Sequence, residues 1–126
     1  MNDRLTKKDK GLLKGAFRRV FSRSELRRRV VAASLIEHTD TARPRVKKWS
    51  RCKECKQPVP AYLAEVDHRE PLVPLNMSFD EMSLDLIVDR LWCEESKLDV
   101  LCKPCHKVKS KSENAERRKL KKEAKK

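Results

Sequence analysis

The chain has 126 residues, of which 38% are hydrophobic, a thin supply of core for a domain that must hold itself together unaided. Charged residues make up 40%, and Lys plus Arg exceed Asp plus Glu by 32 to 19, a net charge of +13 that argues against an acidic partner-binding surface and asks for a partner of negative sign. Nucleic acid fits, because each neutralised phosphate releases condensed counterions, whereas no apolar run approaches the roughly 20 residues of a membrane span and residues 1–10 lead into no signal-peptide core, so a cytoplasmic location is expected.

The first segment, residues 1–44, reads as a basic helical extension. Leu12, Leu13, Phe17, Val20 and Phe21 recur at helical spacing, and Leu26, Val30, Val31 and Leu35 do so again, with Ser22 or Ser24 as a cap for the second stretch. The same pattern carries a second reading, an amphipathic helix on an anionic membrane surface. His38 to Pro44 is a Thr-, Asp- and Pro-containing linker, and His38 receives no role. From Val46 an extended piece leads to Cys52-x-x-Cys55 and a turn at Gln57 to Pro60, and a second short strand over Tyr62 to Val66 delivers Asp67 and His68. A helix capped by Ser78 or Asp80 then carries Met82, Leu84, Leu86, Ile87, Leu91 and Trp92 as plain core. Leu98 to Leu101 form a strand before Cys102, Cys105 and His106, and the chain ends in a Lys-rich helix whose last part, 115–126, is poor in apolar residues and reads as a solvated tail.

The five cysteines of a chain expected in a reducing compartment read as metal ligands or free thiols rather than disulfides. A tetrahedral zinc site needs four soft ligands, and CxxC lets two thiolates of one tight turn reach the same ion. Cys52 and Cys55 supply one half and Cys102 and Cys105 the other, so a shared structural zinc would clamp the start of the domain to the start of its last helix. The strand and helix pattern of a redox CxxC is missing. Cys93 reads as a small buried hydrophobe.

The order Cys52-x-x-Cys55, Val66-Asp67-His68, Leu101-Cys102-x-x-Cys105-His106-x-x-Lys109 resembles the zinc-containing branch of the HNH endonucleases over about Trp49 to Asn114. The resemblance implies an α+β chain: a treble-clef-like ββα-metal domain over residues 45–114 with a structural zinc, preceded by the N-terminal helices. It further implies that His68 is the general base, that Asp67 and His106 hold a catalytic divalent ion, and that DNA is cut to 5′-phosphate and 3′-hydroxyl ends. The chemistry agrees: a neutral imidazole, ordinarily titrating at about 6.5, accepts a proton from water near neutrality, and a cation on one carboxylate and one imidazole keeps room for phosphate oxygens. Two protein ligands suit loosely held Mg, Mn or Ni. Small proteins of this kind occur in phages and bacteria, which implies work in a bacterial host cell, with homing, restriction or a partnership with a phage packaging terminase as settings.

The chain departs from the pattern at Lys97, where the family usually has Asn, and at Ser110, where some relatives have another metal-binding histidine. Glu113 matches a recurrent acid. Lys97, Lys107, Lys109, Lys111 and Arg69 are candidate contacts to the phosphate backbone, with Arg18, Arg19, Arg27, Arg28 and Arg29 of the N-terminal helices adding affinity; such contacts carry no base information. The competing reading is a non-catalytic zinc-stapled module that binds nucleic acid. Adjacent strand residues point to opposite sides, so for Asp67 and His68 to act together a bend at the strand end is expected.

Overall fold

The computed structural model describes residues 4–125, so the outermost parts of the two terminal segments, 1–3 and 126, lie outside the described residues. Two helices open the chain. Helix α1, Lys7–Ser22, begins at Thr6, whose side chain accepts the Asp9 backbone N–H while the Asp9 carboxylate caps in return. Ser24 then interrupts the helical path and caps α2, Glu25–Ala33, by accepting from the Arg27 N–H. The buried stripe is Phe21 on α1 with Leu26 and Val30 on α2, and these three join one core with Val59, Met82, Ile87, Leu91, Leu98 and Val100. Residues on both sides of position 44 therefore share a single interior.

Strands β1, Leu35–Ile36, β2, Trp49–Arg51, and β3, Pro58–Pro60, form a three-stranded antiparallel sheet in that order. The His38 ring meets the edge of Trp49, with centroids 4.7 Å apart. A single 3-10 turn, Ala61–Leu63, replaces the first half of the expected strand, so β4 runs Glu65–His68 and carries Asp67 and His68 within it. β4 pairs with β5, Leu98–Leu101, in regular antiparallel register, Asp67 opposite Asp99 and His68 opposite Leu98. No bend is present between the two residues.

The loop after β4 is pinned from two sides. Arg90 donates from Nε to the backbone oxygen of Leu72 at 2.8 Å, and Arg117 donates from Nη2 to that of Val73 at 2.8 Å. Ser78 and Glu81 close a short 3-10 turn at Phe79–Glu81, and α3, Leu84–Leu91, starts only after Ser83, whose hydroxyl accepts the Leu86 N–H. The expected helix is thus shorter, and Met82 is buried just before it. Helix α4, Lys103–Ala124, is continuous to its end, with Pro104 in the first turn. The fold is α+β with two small sheets, and among the described residues no helix is long and apolar enough to cross a membrane.

Candidate metal centre and candidate active site

The first CxxC lies where β2 turns toward β3. Lys56 N–H donates to the Cys52 oxygen at 3.0 Å, with Lys56 at a positive φ of 65°, and Cys52 N–H donates to the Gln57 oxygen at 3.0 Å. This knuckle is docked on the second sheet by Lys53 N–H donating to the Val100 oxygen at 2.8 Å. The second CxxC begins at the cap of α4. All five cysteines are free, and one sulfur from each of Cys52, Cys55, Cys102 and Cys105 lies within 4.8 Å of the others. The Cys55 and Cys102 sulfurs are 3.8 Å apart, which is the ligand-to-ligand edge of a tetrahedron with metal–sulfur bonds of about 2.3 Å. The donor set and its spacing can hold a metal ion such as zinc.

Four thiols this close cannot all ionise without a cation. Burial opposes the Cys52 thiolate, yet the backbone N–H groups of Cys102, Cys55 and Glu54 outweigh it and bring the thiol down to about 6. Hydrogen bonding by Cys102, followed by burial, pushes Cys105 up to about 12, and burial raises Cys102 as well. Cys93 is outside the cluster, half-buried against the core, its thiol raised by burial.

The second constellation is built on β4 and α4. Strand periodicity puts Glu65 and Asp67 on the same side, facing α4. His106 Nδ1 is 2.7 Å from Glu65 Oε2, and its Nε2 is 3.5 Å from Asp67 Oδ1. Glu65 accepts the Nδ1 proton, which in the neutral ring leaves the Nε2 lone pair converging with Asp67 Oδ1. Asp67, only 7% exposed, gives its other oxygen to the Lys109 ammonium. Lys109 also donates to the His68 backbone oxygen at 2.7 Å and pairs with Glu113 at 3.3 Å. Partial burial works against that ammonium, but Asp67 and then Glu113 hold it above the ordinary lysine value.

His68 faces the other way. Its Nε2 is 2.9 Å from the backbone oxygen of Leu91, and its ring packs on Phe21 at 5.0 Å between centroids. A carbonyl only accepts, so Nε2 carries the hydrogen, and in the neutral ring Nδ1 is the basic atom. Although their side chains diverge, Asp67, His68, His106 and Glu113 all line one cavity of about 440 Å³. The pinned loop and α1 complete its wall.

The remaining residues singled out in the sequence have these surroundings. Arg69 makes a forked contact to Asp99 across the β4–β5 pair, at 3.1 Å from Nε to Oδ2 and 3.1 Å from Nη2 to Oδ1. Lys97 accepts the Arg69 N–H on its backbone oxygen at 2.9 Å and borders a smaller cavity with His68, Glu70 and Cys93. Lys107 and Lys111 are exposed, and Ser110 lines the main cavity. Lys109 is engaged inside the site. Sequence reasoning passed over Glu65, although its place two residues before Asp67 on a strand was the signal. It also passed over Lys14 and Arg117, cavity-lining residues brought together from elements far apart in the chain.

No protein-family model, curated protein or solved structure matches this chain.

Proposed function

We propose that the chain is a metal-dependent DNA endonuclease of the HNH type, with β4, β5 and α4 as its ββα-metal unit, a structural zinc on Cys52, Cys55, Cys102 and Cys105, and His68 as general base. The observation that carries this reading is the set of hydrogen bonds that leaves three atoms free at one cavity: Asp67 Oδ1 and His106 Nε2 convergent, and His68 Nδ1 basic. A divalent ion on Asp67 and His106 would polarise the phosphate and stabilise the departing 3′ oxygen. His68, held by Leu91, takes the proton of the attacking water, and Glu65 fixes the ring of His106. Lys97 at the family's usual Asn position is compatible with this, because the loop before β5 meets β4 through its backbone oxygen.

The zinc-loaded chain, incubated with supercoiled plasmid in buffer freed of divalent ions and then given Mg, Mn or Ni, is expected to yield relaxed or linear DNA, and His68→Ala to lose at least a hundredfold of that activity. Intact but retarded plasmid under every metal would replace the enzyme with a nucleic-acid-binding module, the reading that the basic charge alone supports.

A further inference from the structure

The cavity that holds Asp67, His68 and His106 is also lined by Lys14 and Arg18 of α1 and Arg117 of α4. Lys14 and Arg18 are one turn apart on the same helix, and Arg117 reaches the cavity from a segment about a hundred residues away in sequence. Among the described residues none of the three has a carboxylate partner. Lys14 lies 4.8 Å above the Phe79 ring, and the Nε of Arg117 is buried without a protein acceptor. Burial, and after it the charges of Arg18 and Arg117, push the Lys14 ammonium below the usual lysine range. The fold therefore gathers three mutually repelling cations at one place, an arrangement that costs free energy until an anion enters.

The anion's class follows from what surrounds it. Exposed Arg19 on α1, Arg23 at its C-terminal cap, and Lys107 and Lys111 on α4 continue positive charge along both helices, which suits a polymer with regularly spaced charges better than a single small ion. We propose that Lys14, Arg18 and Arg117 form a clamp for a backbone phosphate of DNA beside the Asp67–His106 pair, so that α1 is a wall of the substrate site. This inference rests on the nuclease reading.

The test uses the full zinc-loaded chain in a His68→Ala background, without added divalent ions, binding a short labelled DNA duplex over a series of salt concentrations. Arg18→Ala and Lys14→Gln are each expected to weaken binding several-fold and to lower the slope of log affinity against log salt by about 0.9. Lys8→Ala, an equal loss of charge in the exposed first turn of α1, is the control and is expected to change the slope far less. Equal losses in all three variants would reduce the effect to diffuse charge and overturn the clamp, as would no loss at Arg18, an exposed residue whose replacement leaves the core intact. Plasmid cutting by the chain with native His68 separates the two readings. If it cuts and the Arg18 variant binds and cuts equally well, the clamp fails alone; if it never cuts while the Arg18 and Lys14 variants lose binding and the control does not, the clamp stands as a DNA site and the nuclease falls.

Discussion

Asp67 divides its carboxylate between two neighbours, one oxygen to Lys109 and the other toward His106. The division matters because a carboxylate free to rotate would meet a cation in several ways, whereas one held by an ammonium presents a fixed oxygen. Glu65 does the same for His106 by holding Nδ1. Glu65→Gln keeps the side-chain size but weakens that hold, since an amide oxygen is a poorer acceptor of the imidazole proton than a carboxylate. With zinc loaded at the cysteines, we expect it to weaken Mn or Ni binding about tenfold or more, read by calorimetry in the absence of DNA. Unchanged affinity would show that His106 orients itself without help.

Among the elements, β4 and α3 show what can be read from residue order and what depends on competition between local signals. The Cys pairs, the short strand before Cys102 and the long final helix were legible, because rare residues at fixed spacing and a sustained Lys-rich run leave few alternatives. The position of β4 was not. Tyr62 has a strand-forming side chain and Leu63 an apolar one, but the chain closes a 3-10 turn there and both remain exposed, at 73% and 45%. Likewise Ser78 and Ser83 are both competent caps, yet α3 begins at the second, with Met82 and Ile87 buried on either side of its start. Removing that cap, Ser83→Ala, is expected to cost about 1 kcal/mol in denaturant unfolding, with Ser78→Ala costing less because it ends only a single turn. The bend expected between Asp67 and His68 is absent: α4 covers one side of β4 while Phe21 and the end of α3 cover the other, and both residues border one cavity.

In the whole molecule, the interior is one cluster drawn from α1, α2, α3 and the strands, with little apolar material on α4. α4 is anchored at its first turn, where Cys102 and Cys105 meet Cys52 and Cys55, and beyond it by polar contacts of His106, Lys109 and Arg117. If the four cysteines hold a metal, chelating it is expected to unfold most of the chain cooperatively, seen as loss of helical circular dichroism that returns on adding zinc, and Cys52→Ser to have the same effect, the residue being fully buried. A Cys52→Ser chain that melts like the parent would remove the metal from the account of stability. In the unfolded metal-free chain the thiols titrate at about 8.5 and are mostly protonated at neutral pH, so metal uptake must expel protons and affinity should strengthen as pH rises. Zinc titration in weakly buffered solution reads that release directly.

His106, Lys109, Glu113 and Arg117 succeed one another along α4 at steps of three, four and four residues, which is one stripe of a helix advancing about 100° per residue. The stripe thus has a phase, and the phase is set only one residue before it begins, at Cys105. The cysteine knuckle acts as the index mark from which the angular position of every later side chain is counted. One residue added between Cys105 and His106 would leave all four sulfurs in place and still turn the whole stripe away from β4, whereas any number added after Arg117 would leave it undisturbed.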